Sequence, residues 1–164
     1  MKTSAIITSF KEPKTVGKAI ESMLNQKTKR PFDIFVSAPD EETLEVAREY
    51  SKIDSRINIF RDSGKGKSLA LNQLFKKIKS DILILTDGDV YVNDKAVEEI
   101  LKLFENPKIG CVTGRPVPME NRKTKYGYWA NFLFDQAHKL RKKAFENKEF
   151  IECSGYLFAF RKKE

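Results

Sequence analysis

Long apolar runs are missing from this sequence of 164 residues, and no stretch approaches the roughly 20 residues of a membrane-spanning helix. The start, Met1-Lys2-Thr3-Ser4-Ala5 followed at once by a short Ile-Ile pair, lacks the extended apolar region of a secretion signal. A soluble, cytoplasmic protein is the expectation. Cysteine is scarce. Cys111 and Cys153 fall in apolar contexts without metal-ligand spacing, so buried thiols are expected rather than a disulfide or a zinc site. The single histidine, His138, lies in a helical stretch and is given no catalytic role. Internal repeats, low-complexity tracts and linkers are absent, so residues 1–164 are expected to form one domain, long enough to bury a core.

Charge, by contrast, is abundant. Charged residues make up 33% of the chain and hydrophobic ones 40%, with a net charge of +8. Such a balance calls for an anionic partner, or for nothing beyond solubility. Much of the excess gathers late, in Arg122, Lys123 and Lys125, then Lys139, Arg141, Lys142 and Lys143, and finally Arg161, Lys162 and Lys163. The 139–143 run reads as a solvated helix face. The aromatic residues sit in apolar helix and strand patterns rather than on a stacking platform, which argues against a nucleic-acid partner.

Strands and helices alternate along the chain. Ala5-Ile6-Ile7-Thr8-Ser9-Phe10 predicts a first strand, and Val16, Ile20, Met23 and Leu24 recur at helical spacing up to Asn25-Gln26. Phe32 to Val36 predicts a second strand, and Asp40 can cap a helix carrying Leu44, Ala47 and Tyr50. Ile57-Asn58-Ile59-Phe60 then supplies a third strand. This βαβαβ order implies an α/β fold with a mostly parallel sheet flanked by helices. Further on, Val97, Ile100, Leu101 and Phe104 mark a helix capped by Asn93 or Asp94, and Ile109 to Gly114 a strand. Trp129, Leu133, Ala137, Leu140 and Ala144 mark a long helix, before Ile151 to Arg161 returns to strand with Ser154-Gly155 inside it.

The chemistry gathers around Ile82-Leu83-Ile84-Leu85-Thr86-Asp87-Gly88-Asp89. Consecutive branched aliphatics predict a fully buried parallel strand, whose carboxyl end is where open α/β sheets bind ligands. Gly88 permits a sharp turn, so Asp87 and Asp89 can point at one location. Converging carboxylates repel unless a cation neutralises them, and a hard divalent ion, Mg²⁺ or Mn²⁺, suits them. Upstream, Gly64-Lys65-Gly66-Lys67-Ser68 opens the helix of Leu71, Leu74, Phe75 and Ile78. A glycine-rich helix start offers backbone N–H groups and a positive dipole end to phosphate, and Lys65 and Lys67 add charge.

Gly66-Lys67-Ser68 also raises the phosphate-wrapping loop of nucleotide hydrolases, but that loop needs a glycine where this chain has Arg61. A sugar nucleotidyltransferase would open with a glycine-rich, arginine-containing turn, and here that turn is Ser9-Phe10-Lys11-Glu12-Pro13. A hydrolase and a polyanion-binding module remain as alternatives.

As an ordered set these segments resemble the family 2 glycosyltransferases, in particular their amino-terminal donor-binding part, which adopts the GT-A fold. The resemblance lies in Ile6 to Glu12 with Ser22 to Gln26, in Gly64 to Asn72, in Asp87-Gly88-Asp89, in Val112-Thr113-Gly114 and in Ser154 to Arg161. It implies inverting transfer of a sugar from a UDP- or GDP-sugar to a hydroxyl of a glycan or lipid acceptor. By motif position, Asp89 would hold Mn²⁺ or Mg²⁺, and Asp87 would contact the metal or the donor ribose. Thr8, Glu12, Lys65, Lys67 and Gly88 would lie at the nucleotide-sugar, and Ser154 and Gly155 on the acceptor side. The family's acid after the second strand, which holds the base, has no direct equivalent. Asp40 either replaces it or only caps a helix. The general base of the family is an Asp beyond the Ser-Gly strand, yet none follows Asp135, and Glu152 precedes that strand. The expectation is therefore a catalytic domain that continues past Glu164, where a base and membrane-associated segments would follow.

Overall fold

The computed structural model describes residues 1–147 and 153–162. In chain order the elements are β1 (Thr3–Thr8), α1 (Val16–Leu24), β2 (Asp33–Ala38), α2 (Glu41–Ile53), β3 (Ile57–Arg61), α3 (Lys67–Lys77), β4 (Ile82–Asp87), α4 (Ala96–Leu103), β5 (Cys111–Thr113), α5 (Lys125–Glu146) and β6 (Leu157–Arg161). The strands form one six-stranded sheet in the order β3-β2-β1-β4-β6-β5. The first four pair in parallel, as the βαβ alternation predicts, and β6 runs antiparallel to both β4 and β5.

The continuous apolar runs are explained by burial on both faces. Along β4, Ile82 and Ile84 face a core that includes Val16, Ile20 and Met23 of α1 and Val97, Ile100 and Leu101 of α4. Leu83 and Leu85 face the opposite core with Leu74 and Ile78. β1 divides in the same way, Ala5 and Ile7 to one side and Ile6 to the other. Strand periodicity alone produces this sorting, because successive side chains leave opposite faces of the pleat. α1, α2 and α4 thus cover one face and α3 the other.

Boundaries and one orientation differ from expectation. β1 ends at Thr8, so Ser9 and Phe10 belong to the loop that follows. β5 is confined to Cys111–Thr113. Ser154 and Gly155 precede β6 instead of lying within it, while residues 151 and 152 of the expected strand lie outside the described residues. Arg161 closes β6 where the sequence places the end of the strand, and residues 163 and 164 are likewise outside the described set. Cys111 and Cys153 are exposed, not buried, because Cys111 lies on the edge strand β5 and Cys153 lies beside it in the segment that precedes β6. The larger difference is α5. It forms as predicted, but Trp129, Leu133 and Leu140 of its apolar stripe face solvent, and the buried residues are Gly127 and Asn131.

What turns that helix is polar anchoring. Gly127 packs so close to the 121–124 turn that an added Cβ would lie 2.0 Å from the Asn121 carbonyl. The Asn131 amide donates to the carbonyls of Gly127 and Glu120, and Asp135 pairs with Arg115 and Arg122. Among the described residues no helix is long and apolar enough to cross a membrane.

Candidate functional site

The parallel strands deliver their carboxyl ends to one edge of the sheet. There Thr8 of β1 is the register partner of Asp87 of β4. To one side of this pair the chain runs out through β2 and β3, to the other through β6 and β5, so it marks the topological switch point at which α/β sheets bind ligands. A cleft of about 410 Å³ opens at this place, within the range of small-molecule sites.

The cleft is acidic and basic together. Asp87 and Asp89 both line it, as does Lys67 at the first turn of α3. The Lys67 ammonium forms an ion pair with Asp87 Oδ1, and the Thr8 hydroxyl donates to the same oxygen at 2.9 Å. Asp89 is exposed and has no protein partner among the described residues. Gly66, which precedes α3 with φ of 102°, and Gly64, with φ of 67°, shape the loop leading to Lys67. Only glycine adopts such angles without strain.

Gly88 is indispensable for a different reason from the one its sequence suggests. Its φ is not in the left-handed region. An added Cβ would instead lie 2.2 Å from Ser9 Oγ and 2.7 Å from Glu12 Oε2. The Gly88 N–H donates to the Thr8 carbonyl at 2.9 Å, and Ser9 Oγ donates to Glu12 Oε2 at 2.6 Å. The 87–89 turn is thereby pressed flat against the loop after β1, which aims both aspartates into the cleft.

The cleft is also lined by residues that the sequence motifs do not single out. Phe10 and Pro39 supply apolar walls, and Asp62 supplies a carboxylate. Asp62 Oδ2 accepts from Ser37 Oγ at 3.0 Å and Oδ1 from the Gly64 N–H at 2.8 Å, which fixes its plane. The signal that could have found it is positional. Asp62 follows β3 as closely as Asp87 ends β4, on the same edge of the sheet.

Five sequence-selected residues do not line the cleft: Gly88, buried in the turn between the two aspartates, and four that lie elsewhere. Asp40 does not line the cleft; it is the N-cap of α2, accepting from Thr43 N at 3.0 Å and from Lys11 N at 2.8 Å. Burial raises its pKa, but hydrogen bonds from Thr43 and Lys11 outweigh that effect and hold the carboxyl below its ordinary value. Lys11 has φ of 57°, so Asp40 also secures a strained turn between Phe10 and Glu12. Lys65 is exposed and outside the cleft lining. Ser154 and Gly155 are outside it too, although Thr86 beside Asp87 donates to the Tyr156 carbonyl at 2.9 Å.

No group of three or more His, Cys, Asp or Glu side chains among the described residues could hold a metal alone. The donor set fits a different arrangement. Asp89 and Asp87 are hard oxygen donors, and Mg²⁺-type sites commonly use one or two carboxylates with the rest of the shell from substrate phosphate and water.

With this geometry in place, the sequence comparisons are decisive. The model of glycosyl transferase family 2 matches residues 4–164. The chain belongs to glycosyl transferase family 2. Among curated relatives of this family 2 chain, a poly-beta-1,6-N-acetyl-D-glucosamine synthase of Staphylococcus epidermidis is 26% identical over 115 residues, 69% of this chain and 28% of the relative. This family 2 chain therefore spans less than a third of that relative's length. In structure it is similar to the mannosyltransferase PcManGT from Pyrobaculum calidifontis, solved in complex with GDP-Man and Mn²⁺. That likeness has a TM-score of 0.73 at 16% identity, covering 98% of this chain and 44% of the other. It is similar as well to residues 1–349 of S. aureus TarS in complex with UDP-GlcNAc, at a TM-score of 0.58 and 20% identity over 76% of this chain and 39% of that one. The fold is that of the GT-A glycosyltransferases.

Proposed function

We propose that this family 2 chain binds a nucleoside-diphosphate sugar with Mn²⁺ or Mg²⁺ in the switch-point cleft and serves inverting transfer of the sugar to a hydroxyl of a glycan or lipid. The observation that carries the reading is the convergence of Asp87, Asp89 and Lys67 on one cavity wall at the carboxyl ends of parallel strands. Carboxylates there suit a divalent ion, and the ammonium beside them suits a diphosphate. A divalent ion held by Asp89, with or without Asp87, would neutralise charge developing on the departing nucleoside diphosphate.

The chain's own groups divide the remaining work. Lys67 exchanges its partner from Asp87 to a phosphate oxygen when donor binds, and the amino-terminal end of α3 favours the same anion. Thr8 keeps Asp87 aimed after the lysine has left, since its hydroxyl bond to Oδ1 does not depend on Lys67. Phe10 and Pro39 offer flat apolar contact to the base. Asp62, oriented by Ser37 and Gly64, accepts from a ring N–H, which favours uridine or guanosine over cytidine or adenosine. Asp62 thus takes the role considered for Asp40 in the sequence. The proposed setting is the cytoplasmic side of a membrane.

Calorimetry with UDP- and GDP-sugars, with and without Mn²⁺, tests the proposal. Metal-dependent binding that disappears in Asp89→Ala is expected, and an absence of heat across the panel would overturn it.

A further inference from the structure

Away from the cleft, two thiols meet at the edge of the sheet. Cys111 of β5 and Cys153, 42 positions apart, place their Sγ atoms 3.0 Å from each other, and both residues are exposed. The approach is built by the backbone around it. Cys111 and Thr113 leave the same face of β5, because side chains alternate along a strand. The Ser154 N–H donates to Thr113 Oγ1 at 2.8 Å, and the Gly114 N–H donates to the Leu157 carbonyl at 2.8 Å. The Cys153-Ser154 dipeptide is therefore laid along β5 with one contact at Thr113 and the next at Cys111.

We propose that Cys111 and Cys153 are an oxidisable pair that closes to an intramolecular disulfide on meeting a small-molecule or protein disulfide. In the first exchange one cysteine thiolate attacks the oxidant, forming a mixed disulfide and releasing one thiol of the oxidant. In the second, the neighbouring thiolate attacks the cysteine sulfur of that mixed disulfide, the Cys111–Cys153 bond forms and the second thiol leaves. Two protein thiols are oxidised, one disulfide is reduced to two thiols, and the two protein protons end on those thiols. Partial desolvation of the sulfur at this otherwise exposed position, together with the hydrogen bond with Cys153, pushes the Cys111 thiol up to about 12, which slows Cys111 as the attacking thiol.

Closure ties down more than a strand edge. The bridge would enclose α5 and fix the start of the segment whose Tyr156 carbonyl receives the Thr86 hydroxyl, one residue before Asp87. Oxidation therefore stiffens the wall behind the cleft's carboxylates and restrains α5, whose packing face is small and polar.

The test incubates the reduced full chain with oxidised glutathione, blocks remaining thiols with N-ethylmaleimide under denaturing conditions and reads the mass. The expected product is a monomer lighter by two hydrogens, carrying neither label, with the Cys111 and Cys153 peptides linked. Cys111→Ser and Cys153→Ser should each instead acquire one glutathione, showing that each thiol is reachable. Amide exchange in α5 should slow severalfold in the bridged form and recover with dithiothreitol. A wild-type chain that gains two glutathiones, keeps two alkylatable thiols or links only between molecules would overturn the proposal.

Discussion

The ammonium of Lys67 rests on the carboxylate of Asp87, bridging the first residue of α3 and the last of β4 across the mouth of the cleft. The pair compensates a carboxylate that would otherwise face Asp89 without a counter-charge. Replacing the lysine should therefore separate metal from nucleotide. Lys67→Met is expected to bind nucleoside diphosphate about tenfold more weakly, the lower end for a charge-assisted hydrogen bond because the side chain is half exposed. Mn²⁺ alone should bind it no more weakly than wild type. Titration calorimetry with each ligand separately checks both halves.

Gly88→Ala places a methyl group where Ser9 and Glu12 already sit. Overpacking of this kind costs about 1–3 kcal/mol, and here the displaced element is the loop that aims the aspartates. Urea denaturation should show a loss in that range, and metal-dependent nucleotide binding should fall by at least tenfold. Retention of full binding would mean that the 87–89 turn is not held by that contact.

Two carboxylates near the loop after β1 are expected to separate by phenotype. Asp62→Ala takes the acceptor from the buried Ser37 hydroxyl, costing about 1 kcal/mol, and should abolish the preference among nucleoside diphosphates. Asp40→Ala removes a helix cap, costing about 1 kcal/mol, and should weaken nucleotide binding only a few-fold without altering base preference. Binding isotherms with UDP, GDP, CDP and ADP distinguish the two.

The Asp40 cap also gives a pH signature. Its folded pKa lies below the ordinary carboxylate value of about 3.9, so its stabilising contribution is complete above that value. It is lost as pH falls through the lower folded value. The stability difference between wild type and Asp40→Ala should therefore be constant from neutral pH to about pH 5 and shrink below pH 4. Chemical denaturation across that range measures it.

α5 should depend on Asp135 more than on its aromatic residues. Arg122, then Arg115, hold the Asp135 carboxyl below its usual range, and both arginines come from the connection that precedes the helix. Asp135→Asn is expected to raise amide exchange along α5 with little change in β1 or β4. Leu140→Ala, at an exposed position, should leave exchange unaltered.

Much of this arrangement is legible in the amino-acid order because it is local. Alternation of apolar strands and amphipathic helices dictates parallel crossovers, and the unbroken Ile82 to Leu85 run dictates a strand covered on both faces. A carboxylate that ends such a strand must emerge at the carboxyl edge of the sheet, so the Asp87-Gly88-Asp89 turn and the glycine-rich loop before Lys67 could be singled out in the sequence, and the three charged side chains line one cleft. Other features depend on neighbours far away in the chain. Asp40 and Asp62 each follow a strand, and only the packing of the loop after β1 turns the first toward Lys11 and leaves the second at the cleft. The spacing of Trp129, Leu133 and Leu140 marks a helix without saying which way it faces, and Gly127, Asn131 and Asp135 make the contacts that orient it. The meeting of Cys111 with Cys153 likewise arises from antiparallel pairing of β5 and β6, which no spacing rule encodes. Periodicity fixes which elements form and which strand ends carry charge; the choice of which face turns inward is made by long-range contacts, whose partners are set only when the sheet has assembled.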